Sequence, residues 1–184
     1  MPEVAILLSR AASIVQAVGL LGFVVASVWL SAVDIVRRRL PNRLLAWATA
    51  AALGPLVAGC LIRTPGAGRA LAMEDLLRLF GGAAMLFAFF FVLWRVAPRS
   101  FGGGDVKLAP LVGGMLGFVS GFWAVLVCAV IAFACAAVWG AVLRVADSGR
   151  PAGTAARTVP FAACLFAGAW VVIVSFPLLT RLLG

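Results

Sequence analysis

About six runs of apolar residues, each near the twenty that a helix needs to cross about 30 Å of hydrocarbon, constrain this chain more than any other feature. Hydropathy and the charged or Gly/Pro breaks place them at about residues 12–33, 42–62, 78–97, 106–119, 121–143 and 159–180. As one helix, the stretch from Val106 to Leu143 would run about 57 Å at 1.5 Å per residue, nearly twice the membrane. A break near Ser120 and Gly121 removes that conflict and leaves the fourth span short. The expected fold class is all-α, a polytopic transmembrane helical bundle of about six spans forming one integral-membrane domain over residues 1–184. A composition of 65% hydrophobic and 11% charged residues, far outside soluble-domain usage, agrees.

Orientation follows from Lys and Arg, which short loops retain on the cytoplasmic side. The first connection holds Arg37, Arg38, Arg39 and Arg43, the third Arg95, Arg99 and Lys107, and the fifth Arg144, Arg150 and Arg157. The other side has fewer, so both termini are expected outside. Orientation and anionic lipid headgroups account for the net charge of +9, and nucleic acid is not expected as a partner. Ser31 and Ala32 end the first apolar run as a signal-peptide cleavage site would. Glu3, the lack of an early basic cluster and three arginines just beyond argue for a retained span instead.

Side-chain chemistry is restricted. Histidine is absent, which removes Ser-His and Cys-His nucleophilic systems and histidine-ligated metals. Cys60, Cys128, Cys135 and Cys164 form no C-x-x-C pair and read as small apolar packing residues. No metal or other cofactor is expected. Among six acids, Glu3 is terminal, Glu74 and Asp75 suit an outer loop or a helix N-terminal turn, and Asp147 in "ADSGR" suits a turn. Asp34 and Asp105 differ, because each joins the edge of a span, where a carboxylate is expensive unless solvated, paired or useful.

Two spans separate Asp34 from Asp105, so both emerge on one membrane face whatever the absolute orientation. If the first and fourth spans pack together, the carboxylates can meet at one depth. Like charges that close resist joint ionisation, so the pair would hold a single proton near neutral pH. That is the state in which one acid draws a proton from water and the other donates to a scissile carbonyl. Gly102, Gly103 and Gly104 would let a peptide or a neighbouring span approach Asp105. The plainer reading is an interhelical loop with Asp105 capping the next helix. Gly113 and Gly117, and then Gly121, Ala124 and Cys128, supply small residues for close helix contact.

"DIVRRRLPN" around Asp34 and "GGGDVKL" around Asp105 resemble the type IV prepilin peptidases. In those membrane aspartic proteases an Asp preceding a Pro-Asn pair and the Asp of G-x-G-D form the catalytic pair. "TVPFAACLFAGAW", from Thr158 to Trp170, is similar to the family's final proline-led span. The resemblance implies Asp34 and Asp105 as catalytic residues, with Gly102, Gly103, Gly104, Lys107, Pro41 and Asn42 as motif or substrate-approach positions. Leu40 stands where the family often has isoleucine. Pro41 suits the first turn of the second span, and Pro41-Asn42 is expected to shape the start of that helix. Lys107, about 200° round from Asp105 on a helix, is expected as an interfacial anchor.

Larger family members carry a cytoplasmic segment with paired C-x-x-C motifs and methylate the new N-terminus. Lacking that motif, this chain resembles the short, protease-only type associated with Flp/Tad pili. A prepilin substrate, with its leader and hydrophobic helix, and membrane lipids are the implied partners; the implied location is the bacterial inner membrane with a cytoplasmic active site. Whether copies associate stays open. Two other classes remain: a small proton-coupled transporter, whose acids belong near the midplane, and a structural subunit with the aspartates as helix caps.

Overall fold

A computed structural model describes residues 2–37, 41–64, 68–97, 103–147 and 160–183. Six helices account for almost all of them: α1 (Pro2–Arg37), α2 (Asn42–Arg63), α3 (Arg69–Val96), α4 (Gly103–Ser120), α5 (Phe122–Asp147) and α6 (Phe161–Leu183). Among the described residues there is no strand, and the all-α bundle expected from the sequence is the observed fold. Segments 6–36, 42–63, 69–96 and 122–146 are long and apolar enough to cross a membrane. Apolar side chains such as Ile14, Val18, Leu21, Val25 and Val28 of α1 face outward. In a bilayer that surface meets lipid tails, and it carries no penalty.

The break expected at Ser120 and Gly121 is present. α4 ends at Ser120, α5 starts at Phe122, and Gly121 turns the chain with φ 81°, a left-handed conformation that glycine adopts without a Cβ clash. The turn lets α4 and α5 run in opposite directions instead of as one overlong rod. α1 begins ten residues and α3 nine residues before the expected spans, while every other boundary lies within four residues of its expected place; hydropathy marks the hydrocarbon segment and not the turns that continue the backbone hydrogen bonding.

α4 has only 18 residues, yet it is the most enclosed helix. Residues 111–117 are all buried, and seven consecutive residues cover two full turns, so neighbours surround it on every side. α3 runs along it, with α2, α5 and α6 around the rest. A helix that meets protein instead of lipid need not match the bilayer thickness.

The seams are made close by small residues. Gly82 of α3 faces Gly113 and Gly117 of α4, so tightly that a Cβ on Gly82 would lie 2.9 Å from the Gly117 Cα. Gly19 and Gly22 of α1 lie against Ala51 and Ala52 of α2, and Gly168 of α6 sits against Cys128 of α5. Such contacts let backbones gain dispersion energy where there is no hydrophobic drive between helices. Gly113 and Gly117 make the close helix contact expected of them, and their partner is α3. Among the described residues α1 and α4, whose packing was the condition for the carboxylates to meet, share no extended seam, and each instead packs on α2 and α6.

Glu74 and Asp75 are in α3, past its first turn, and not in a loop. Asp75 pairs with Arg63 at 3.3 Å and Glu74 with Arg78, all at the end of the bundle opposite Asp34. Both are partly exposed pairs of the kind worth about 0–1 kcal/mol. Asp147 closes α5, while the rest of its expected turn lies outside the described residues. Cys128 donates to the Leu165 carbonyl at 3.6 Å across the α5–α6 seam, consistent with a packing residue.

Candidate active site

The ends of α1, α3 and α5 and the starts of α2, α4 and α6 gather at one end of the bundle, because successive helices alternate in direction. Exposed Trp29, Trp47, Trp94 and Trp139 ring that end, as indoles do at a membrane–water boundary. Exposed Arg43, Arg95, Lys107 and Arg144 lie there too. Asp34 stands five residues beyond Trp29, about 7.5 Å further along the helix, which puts it near the aqueous side of the tryptophan ring.

Asp34 sits in the last turn of α1 and is half-buried. Its Oδ2 accepts a hydrogen bond from the backbone N–H of Ala162 at 3.1 Å, and the next N–H, of Ala163, also faces it. Both belong to the first turn of α6, where backbone donors have no intrahelical acceptor. Asp34 therefore serves as a side-chain cap supplied from another helix. Seven residues earlier on the same face, Ser27 accepts from the Trp170 indole at 3.1 Å, and Phe23 packs against Phe166 and Trp170. The two bonds fix α1 and α6 antiparallel and in register.

Asp105 lies in the first turn of α4, half-buried, where the helix N-terminus favours a carboxylate. Val106, Leu108 and Ala109 beyond it are buried, so the central helix holds this acid. Gly103 and Gly104 are helical; Gly103 is exposed, and a Cβ on it would meet no neighbouring element within 4 Å. The first glycine of the motif, Gly102, lies outside the described residues, as do Arg38, Arg39, Leu40, Arg99, Arg150 and Arg157.

Pro41 is the residue just before α2, one position earlier than the first-turn place expected, with φ −63° and ψ 131°; its carbonyl accepts from the Leu45 N–H at 3.1 Å. Asn42 then opens the helix, and its Oδ1 accepts a 2.8 Å hydrogen bond from Lys107 Nζ. Lys107 is exposed, as an anchor would be, but it also ties the first turn of α4 to that of α2. The position of Lys107 about 200° round from Asp105 does not reveal this link, because the angle says nothing of which neighbour fills that side. Lys107→Met, which keeps the stem and loses the donor, is expected to lower activity by less than about tenfold, since an exposed bond contributes about 0.5–1.5 kcal/mol. Asn42→Ala should match it, and the double variant should be no worse in the same cleavage assay.

The Asp34–Ala162 and Asn42–Lys107 bonds thus draw the starts of α2, α4 and α6 and the end of α1 to one end of the molecule. No group of three or more His, Cys, Asp or Glu suited to hold a metal occurs among the described residues. Sequence reasoning missed the role of α6's start. Its signal was Pro160 ahead of an apolar helix, which marks a set of free N–H groups in need of an acceptor.

Fold and site together define a multi-pass membrane protein with its motif carboxylates at one end of a helical bundle. A family model described as the type IV leader peptidase family matches residues 21–144, more than half of the chain, and the protein belongs to that family and is accordingly a membrane peptidase. No curated protein and no solved structure matches it.

Proposed function

We propose that the protein is an aspartic endopeptidase that removes the leader from a type IV, Flp-like prepilin at the cytoplasmic face of the inner membrane, with Asp34 and Asp105 as the catalytic pair. The pair shares one proton: the ionised member takes a proton from water, and the other donates to the scissile carbonyl oxygen. Attack by water forms no covalent enzyme intermediate, and no methyl transfer follows. Gly103, with no neighbouring element within 4 Å of a Cβ, leaves room for the substrate backbone beside Asp105. A prepilin presents a basic leader in water and an apolar helix in lipid, so its junction lies near the tryptophan ring.

The observation that supports this reading most is the gathering of both acid-bearing helix ends at the end ringed by exposed Trp29, Trp47, Trp94 and Trp139. A transporter would place acids deeper, near the midplane. Cysteine-accessibility labelling on a cysteine-free background is expected to find positions 34 and 105 cytoplasmic and positions 74 and 75 outside. Labelling of 34 and 105 from opposite sides would remove the shared site. Release of mature pilin by the purified protein, continuing in the presence of a chelator, tests the activity itself.

A further inference from the structure

Asp34 is held from outside its own helix, by an element that the family model does not reach. α6 starts at Phe161, beyond the matched residues 21–144. Its first residue is fixed by ring contacts, with Phe161 5.5 Å from Phe90 of α3 and 5.4 Å from Phe133 of α5. Phe90 and Phe133 themselves stack at 6.0 Å, so the three rings clamp α6's start against both neighbours. Ala162, next in the chain, is fully buried, and its N–H reaches the Asp34 carboxylate. α6 also packs on α4, the helix of Asp105, whereas α1 and α4 have no extended seam of their own.

We infer that the start of α6 is the positioning element of the catalytic pair: the Phe90–Phe133–Phe161 clamp aims the Ala162 N–H at Asp34 and so sets where that carboxylate stands relative to Asp105. This rests on Asp34 and Asp105 being the reacting acids. Neither Phe161 nor Ala162 touches substrate; both act through Asp34. A carboxylate near the end of a helix can rotate about two side-chain bonds, and a buried N–H that donates to it favours one orientation. Without it the acid would sample positions unsuited to attack, which lowers turnover more than binding.

The test uses the full-length protein in lipid and a synthetic peptide with a basic leader, a glycine at the junction and an apolar helix. Ala162→Pro removes the N–H at a first-turn position where proline does not cost an intrahelical bond. The expected result is a fall in kcat of about 10- to 100-fold with KM within about twofold, the loss of one hydrogen bond to a charged group. The infrared carboxyl stretch of Asp34, assigned by subtraction of the Asp34→Asn spectrum, should shift in the same variant, which a general loosening of the bundle would not produce. Phe161→Ala should lower kcat and move the same band, and Phe161→Leu should restore both in large part. A wild-type kcat in Ala162→Pro, an unmoved band, or equal defects in the two Phe161 variants would each overturn the inference. Wild-type cleavage by Asp34→Asn would instead overturn the assignment of the pair, so the two failures are distinct.

Discussion

Asp34→Asn and Asp105→Asn are each expected to cut prepilin processing by about 10²- to 10⁴-fold while leaving the protein folded in the membrane. Asparagine keeps the size of the side chain, and its carbonyl oxygen can still accept from the Ala162 N–H that Asp34 now caps. What it loses is the ability to exchange a proton with water or substrate. Because the two acids would act as a unit, the double variant should be no slower than either single one. Asp75→Asn and Asp147→Asn should matter little: Asp75 is in a partly exposed ion pair at the other end of the bundle, and Asp147 closes α5. The same holds for cysteine-to-serine changes at positions outside the site. Mature pilin detected by its mass, against a parallel measure of membrane-inserted protein, reads the comparison.

Gly117→Leu carries the second large effect, and it acts on stability. A Cβ at this position would meet the backbone of α3, its Cα at Gly82 lying 3.0 Å away and the Arg78 carbonyl oxygen closer still. Backbone cannot swing aside as a flexible side chain can, so α3 and α4 must separate. The cost should be about 3 kcal/mol, and the enclosing contacts that hold Asp105's helix should loosen with it. Gly54→Ala is the matched control. No neighbouring element lies within 4 Å of a Cβ there, and the gain of about 0.5–1 kcal/mol for alanine over glycine in a helix is offset by the restriction Pro55 places on a side chain just before it, so this variant should be close to neutral. Unfolding in a graded denaturing detergent separates the two.

The spans were legible because lipid imposes a length and a polarity on every crossing segment, and the Ser120–Gly121 break followed from that length alone. The sharing of one end by Asp34 and Asp105 needed only the count of crossings. Which helices touch was not legible in the same way. Gly113 and Gly117 announce a close contact but name no partner, and Gly82, Gly19 and Gly22 announce the same thing elsewhere. The partner of α4's glycine face is α3, chosen by how the whole bundle closes. Lys107 likewise could be placed on a face of α4, but its bond to Asn42 depends on α2 standing beside it. Asp34's attachment to Ala162 spans 128 residues of sequence, and no local pattern encodes it.

The central claim is that Asp34 and Asp105 work as one pair on a prepilin, and the separation of their carboxylates in a substrate-bound structure tests it most directly. Catalytic contacts often tighten only when substrate is present, so the bound state is the one to measure. With a leader-plus-helix peptide in place, the two carboxylates are expected in direct contact or bridged by a single water, with the scissile carbonyl beside them. A bound peptide whose scissile bond lies elsewhere, or carboxylates held further apart than one water can bridge, would contradict the account.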